Sequence, residues 1–278
     1  FLGADAPSTA YKPGASGFGD LDARNGFHNN LDELTTSARF ALWAGQVQLV
    51  DLTLLSATQI LEAAQGDVAY RYALKELNPF AATEAQALYD LHNSEGQLDR
   101  YDPVGATRSG MTDLYLADRA DFLSWKNVAN RDNLARLRGP DGPESWRYVE
   151  LARDYQLDVV GQVLGSDSTE PARIAAFGGD GADLVVGGTQ ADRLYGGAGT
   201  DFVEGKTAGD YLEGGSGLDV YNYNTSADVL GSNPYGDGAD TIRDTDSRGV
   251  LRHVHVSRLV GVATGAQSTI IADASEKI

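Results

Sequence analysis

The sequence contains no cysteine and a single methionine in 278 residues. Without thiols there is no disulfide scaffold, no thiolate metal site and no cysteine nucleophile. Basic residues are scarce as well: 22 Lys+Arg stand against 40 Asp+Glu, a formal net charge of -18. Such a chain is a poor partner for nucleic acid, where cationic groups must meet phosphate, and for anionic membrane surfaces. No apolar run reaches the roughly 18 residues of a transmembrane segment, and no cleavable leader is visible. With 42% hydrophobic residues the chain can still bury a real core, which excludes wholesale disorder. The length suits one large or two smaller domains. Phe1 is not an initiator methionine, so the expectation is a piece of something longer.

What the sequence has in excess is glycine, 33 residues concentrated late in the chain and accompanied there by aspartate. Glycine with acid and no balancing base suggests a hard cation as partner. From Gly178 the chain reads GGDGADLVV, GGTQADRLY, GGAGTDFVE, GKTAGDYLE, GGSGLDVYN, five consecutive nine-residue units without insertion. The sixth position is always aspartate (Asp183, Asp192, Asp201, Asp210, Asp219), and the eighth is Val185, Leu194, Val203, Leu212 or Tyr221. The next nine residues, YNTSADVLG, keep Asp228 and Leu230 but lose the glycines, and the preceding block has Ile174 in place of the aspartate. The array frays at both ends, as capping units do.

Six glycine-rich residues make a tight turn, where positive φ is needed and a side chain would obstruct. Three residues then form a short strand whose middle member points inward. Two units complete one coil, so alternate units share a flank, and a calcium ion fits between turns i and i+2, held by carbonyl and carboxylate oxygens. The residues expected to bind metal are Gly178, Asp180 and Asp183; Gly187, Thr189 and Asp192; Gly196, Ala198 and Asp201; Gly205, Thr207 and Asp210; Gly214, Ser216 and Asp219. Units one, three and five give the regular pairs Asp183 with Asp201 and Asp201 with Asp219. On the other flank Gln190, Lys206 and Ala208 replace glycines, so Asp192 with Asp210 is the weaker pair and Asp210 with Asp228 weaker still. About three ions are expected.

The nonamer resembles the calcium-binding repeat of RTX proteins exported by bacterial type I secretion. The resemblance implies a parallel β-roll, calcium-dependent folding outside the cell, and a secreted, extracellular or cell-surface location. After the array, Asp237, Asp240, Asp244 and Asp246 crowd into NPYGDGADTIRDTDSRG. GDGADTIRDTD resembles the stretch where a strand pair closes the roll. Whether it holds a further calcium or is a solvated acidic turn stays open at this level. LRHVHVSRLV alternates as a strand does, placing His253 and His255 on one face. With no third ligand, they read as surface residues. The last ten residues are too generic to be read as a secretion signal.

The first half follows another period. Residues 1–30 read as loop. From Leu31 to Val50 the apolar spacing is helical. Ser56 with Gln59 signs a capping box for a helix ending at Gly66. Asp67 caps a second helix that stops before Pro79, and TEAQALYDLHNS reads as a helix or turn. Residues 97–110 read as a loop. Thr112 caps the longest helix, and SWRYVEL and LDVVGQVLG read as strands leading into the roll.

Catalytic patterns are missing from this half. GASGFG at Gly14–Gly19 is one residue out of the GxSxG pattern. His28 and His92 lie outside any HExxH, and no glycosidase-like pair can be argued for Asp99, Asp102 and Asp113. Asp102-Pro103 is an acid-labile dipeptide of the kind at which some RTX proteins self-process.

The runs DVAYRYALKELNPF, GQLDRYDP, MTDLYLADRADFLSWKNVAN and SWRYVEL, within residues 55–165, are similar to a region of large RTX lipases between an α/β-hydrolase domain and the repeats. This resemblance implies that a Ser, Asp and His triad would lie upstream of Phe1, and that no residue here inherits a catalytic role. The expected fold class is α+β: a mainly helical domain over 1–165, a parallel β-roll over 166–232 and a β-strand cap over 233–278. The expected function is a calcium-binding folding and secretion module, the non-catalytic part of a secreted lipase-like protein whose upstream catalytic domain is a possible partner. An adhesin or cell-surface fragment is the alternative, and an enzyme with an unfamiliar site in residues 1–165 a third.

Overall fold

The computed structural model describes residues 47–102, 110–132, 137–138, 145–160, 172–223, 239–253 and 268–273. It contains helices and sheets, an α+β chain, in two units: Phe1–Ser94 with Leu116–Leu137, and Glu95–Tyr115 with Arg138–Ile278.

In the first unit, β1 (Gln48–Asp51) pairs antiparallel with β2 (Phe80–Thr83), with Val50 opposite Ala81. A helix was expected to run through Val50; its described end is instead this strand. The reason is local: after Gly45 the run Gln46-Val47-Gln48-Leu49 alternates with period two, the period of a strand. The part from Leu31 to Gln46 lies outside the described residues. Helix α1 (Ala57–Gly66) opens with the Ser56/Gln59 capping box, and α2 (Val68–Lys75) starts where Asp67 accepts from the Ala69 amide at 2.8 Å. TEAQALYDLHNS forms two single 3-10 turns, Gln86–Leu88 and Asp90–His92.

Helix α3 (Asp113–Asp132) begins in the second unit, and from Leu116 its residues belong to the first. There Arg119, almost wholly buried, donates to the carbonyls of Leu74 and Lys75, and Lys126 donates to Leu77 O at 2.9 Å. Arg119 thus sets a cation on the last carbonyls of α2 and Lys126 one just beyond them, the sign that a helix C-terminus favours. Leu52, Ile60, Leu74, Leu77, Leu116 and Leu123 are buried in this unit.

The second unit is built of two ladders. One runs β14-β12-β10-β8-β6-β4-β5-β3, comprising β3 (Leu137–Arg138), β4 (Trp146–Glu150), β5 (Tyr155–Val160), β6 (Arg173–Asp180), β8 (Arg193–Gly199), β10 (Tyr211–Gly217), β12 (Ala239–Asp244) and β14 (Ser268–Asp273). The other runs β13-β11-β9-β7, comprising β7 (Leu184–Val186), β9 (Phe202–Glu204), β11 (Val220–Tyr223) and β13 (Val250–His253).

Within the array all pairing is parallel. Ala176 faces Leu194 and Leu194 faces Leu212 in the first ladder, while Val185 faces Val203 and Val203 faces Tyr221 in the second. Register therefore advances by two nonamers at each step. The eighth-position side chains, with Ala176 and Ile242, form one buried cluster. SWRYVEL enters as expected, as β4, parallel to β6. LDVVGQVLG is a strand, β5, as far as Val160 and lies beyond that outside the described residues.

The turns are shorter than the expected six residues on one flank. β8 and β10 continue through the first four positions of their units, with Gly197 paired to Gly215 and Gly199 to Gly217. Glycine makes this possible. A Cβ at Gly199 would stand 1.8 Å from Gly181 O, at a backbone φ of +136°. At Gly181 the φ is +128°, but nothing lies within 4 Å of the same point.

The two positions make a matched test. Gly181→Ala is expected to cost only backbone strain, about 1–3 kcal/mol, whereas Gly199→Ala adds a steric clash and should cost clearly more. Urea unfolding of both variants in saturating calcium measures this; equal costs would contradict the close stacking of coils.

Candidate metal centre

From Asp192 to Asp219 each sixth-position aspartate caps the coil before it. The Asp183 amide donates to Asp201 Oδ1 at 2.8 Å, the Asp192 amide to Asp210 Oδ1 at 2.7 Å and the Asp201 amide to Asp219 Oδ1 at 3.0 Å. Ile174, standing where an aspartate would begin the series, donates its amide to Asp192 Oδ1 at 2.7 Å. One carboxylate oxygen is thus committed to the register of the ladder. Asp192, Asp201, Asp210 and Asp219 are buried, Asp183 half-buried.

The other oxygen turns back under the first glycine of its own unit. A Cβ on Gly196 would meet Asp201 Oδ2 at 2.5 Å and Gly214 O at 2.6 Å. At Gly187 the corresponding oxygens are Asp192 Oδ2 at 2.7 Å and Gly205 O at 2.5 Å. At Gly178 Asp183 Oδ2 stands at 2.9 Å, with Gly196 O closer still. Carboxylate and carbonyl oxygens gather where a side chain would otherwise stand. Oxygen-only donors of this kind suit a hard cation such as Ca²⁺. Among the described residues no group of three or more His, Cys, Asp or Glu converges on a metal-holding point, so a cation here must draw ligands from the main chain as well.

The buried oxygens Asp201 Oδ2 and Asp219 Oδ2 have no hydrogen-bond partner. Burial pushes the Asp201 carboxyl up to about 6 and the Asp219 carboxyl up to about 7, and neighbouring acids add to both shifts. The flank of Asp192 differs. Burial raises its carboxyl too, but the Gly188 amide donates to Asp192 Oδ2 at 2.5 Å, and Arg173 and Lys206 pull the value back. Lys206 and Ala208 adopt φ of +77° and +85°, a region glycine occupies without strain. Asp192 thus has basic side chains acting on it, whereas the charged groups acting on Asp201 and Asp219 are acids.

Residues 177–207 and 201–230 match the family model of the RTX calcium-binding nonapeptide repeat. The repeats are therefore calcium-binding repeats of a kind typically found in secreted proteins. No curated protein and no solved structure matches the chain, so the likeness of residues 55–165 to RTX lipases has no homologue behind it. No described helix is long and apolar enough to cross a membrane, which says nothing of strand-built membrane proteins.

The third-position residues Asp180, Ala198 and Ser216 fall into register along one ladder, and the Thr207 amide donates to Gly188 O at 3.4 Å across the other flank. Asp228 lies outside the described residues. Its expected place below Asp210 is taken by Asp240, whose Oδ1 accepts from the Asp210 amide at 2.9 Å. The register there steps by 30 residues instead of 18, with Leu212 opposite Ile242. The signal was present in the sequence: Tyr235-Gly-Asp-Gly-Ala-Asp240-Thr-Ile242-Arg keeps the nonamer's second and fourth glycines, its aspartate and its apolar eighth residue after an insertion. Sequence reading also missed the ninth position. Phe177 and Tyr195 stack at 5.0 Å, with Tyr115 edge-on to both, and Thr112 donates to Glu213 Oε2 at 2.9 Å.

Of the candidates elsewhere, His92 packs against Tyr72 and exposed Asp113 pairs with Arg100 at 2.9 Å. His28, His255 and Pro103 lie outside the described residues.

Two outcomes follow. In chelator, the folded array holds protons on Asp201 and Asp219 up to about pH 6 and 7, while the unfolded chain releases them near the ordinary 3.8. The native state binds more protons across that window, so calcium-free stability should fall as pH rises through it. In calcium-free buffer the β signal of the array should be larger at pH 5 than at pH 8; the reverse order would contradict the burial of these acids. Asp240→Ala leaves the buried Asp210 amide without its acceptor and should cost about 1–3 kcal/mol. Asp228→Ala should be mild, as urea unfolding in calcium will report.

Proposed function

We propose that this chain is a calcium-responsive folding module of a protein exported by type I secretion, and that it is non-catalytic. The observation that carries the reading is the file of buried aspartates on one flank, with the inner oxygens of Asp201 and Asp219 lacking any protein donor. Burying an ionised carboxylate is costly unless it is paired. Bound calcium would supply positive charge to neighbouring turns, so that binding energy becomes folding energy.

The residues that would hold it are the sixth-position aspartates with the turn carbonyls: Asp183 with Asp201, Asp201 with Asp219 and, more weakly, Asp192 with Asp210, about three ions in all. Without a cation these same carboxylates repel one another through a poorly screened interior. The eighth-position stack alone must then hold the coils together. An array that loosens when calcium is scarce can be threaded unfolded through a narrow channel and set outside, where calcium is millimolar.

In this reading residues 166–232 form a parallel β-roll and 233–278 its cap. Residues 1–165 supply a mainly helical part and, at its end, the strands β4 and β5 that join the first ladder; the helical part would serve an upstream catalytic domain of lipase-like type. Support for the roll comes from the parallel ladders with their two-nonamer step; support for the lipase-like parent is the pattern of residues 55–165 alone.

Far-ultraviolet circular dichroism should show β signal lost in EGTA and restored by calcium. Asp201→Ala should raise the calcium midpoint most, because that carboxylate serves two neighbouring turns. Asp192→Ala should raise it less. An array with unchanged β signal in chelator would overturn the proposal.

A further inference from the structure

Beyond the matched repeats the chain makes one more turn on the flank of Asp201 and Asp219, and it is built backwards. β12 and β13 continue the two ladders with a 30-residue step, setting Val250 opposite Val220 and Leu251 opposite Tyr221. By that step Asp244 falls at the place of Gly214, and Gly249 at the place of Asp219. Glycine and aspartate have exchanged positions, yet the pair still meets: a Cβ on Gly249 would lie 2.6 Å from Asp244 Oδ2, with the Tyr221 ring equally near where Gly196 has a carbonyl of the next coil. The Gly249 amide donates to that same oxygen. Ser247 takes φ +65° at the place of Gly217.

The turn is tied to the one before it. Thr245 Oγ1 donates to Gly215 O at 2.7 Å, and the Gly217 amide donates to Asp246 Oδ2 at 2.8 Å. Asp246 is further occupied by the Arg248 amide at 3.0 Å. Two buried oxygens are then left without a hydrogen-bond partner, one on each turn: Asp219 Oδ2, on a residue 0% exposed, and Asp244 Oδ1. The charged groups acting on Asp219 are Asp201, Asp244 and Asp246, all acidic.

We propose a further calcium site between the turns Gly214–Asp219 and Asp244–Gly249, with Asp219 Oδ2 and Asp244 Oδ1 as its carboxylate donors and turn carbonyls completing the shell. It rests on the reading of the array as calcium-binding and extends the metal file one step past the last regular repeat. The site locks the first coil beyond the insertion onto the array, so that ordering of 239–253 becomes calcium-dependent too.

Native mass spectrometry of the full chain in saturating calcium counts the ions. Asp244→Asn should carry one ion fewer than the unmodified chain. The double variant Asp244→Gly with Gly249→Asp, which returns the carboxylate to the sixth position, should carry the full number. If the unmodified chain binds no calcium, this site and the function proposed above both fall. If it binds calcium and Asp244→Asn keeps the full count, only this site falls, and the acidic turn is a solvated one. If Asp244→Asn does not fold, the double variant decides: a full count supports the site, and a count one short overturns it.

Discussion

The structure of the array depends on carboxylates that the fold buries without supplying a counter-charge. Asp201, Asp210 and Asp219 each do two jobs. One oxygen takes the amide of the aspartate two units earlier and so fixes the 18-residue register. The other is turned inward, beneath a glycine, where water does not reach. A hydrogen bond satisfies the first oxygen. On the flank of Asp201 and Asp219 nothing in the described protein satisfies the second. In the function proposed above a cation completes that arrangement, and the stability of the array then follows the cation's concentration.

Glycine is the other half of the same constraint. The eighth-position side chains pull the two ladders together, and the odd-unit turns stack so closely that carbonyl oxygens of one coil occupy the space a side chain on the next would need. That crowding of main-chain carbonyls beside aspartate carboxylates makes the turns rich in oxygen. Where glycine is replaced, at Lys206 and Ala208, the chain still adopts positive φ, and a basic side chain sits near Asp192. Asp192 therefore differs from Asp201 and Asp219 in the charge that surrounds it.

Much of this was legible in the sequence because a repeat states its geometry several times over. The fixed spacing of Asp183, Asp192, Asp201, Asp210 and Asp219 carried the turn chemistry, and the eighth position carried the core. The helix caps at Ser56 and Asp67 were legible for the same reason: capping needs a short polar side chain at one place. What was not legible depended on partners distant in sequence. The replacement of Asp228 by Asp240 required counting across an insertion, and the glycine–aspartate exchange at Asp244 and Gly249 breaks the pattern while keeping its geometry. The stack of Phe177, Tyr195 and Tyr115 joins ninth-position residues to a segment more than sixty residues earlier. β1 was misread because helical spacing upstream outweighed the short alternation after Gly45.

Hydrogen exchange read by mass spectrometry, in calcium and in chelator, bears most directly on the buried, uncompensated carboxylates. Peptides spanning residues 172–223 should exchange slowly with calcium and at nearly unfolded rates without it, while those from α1 and α2 stay the same in both. Equal protection of residues 172–223 in the two conditions would mean that the fold balances its own charge, and would contradict the account.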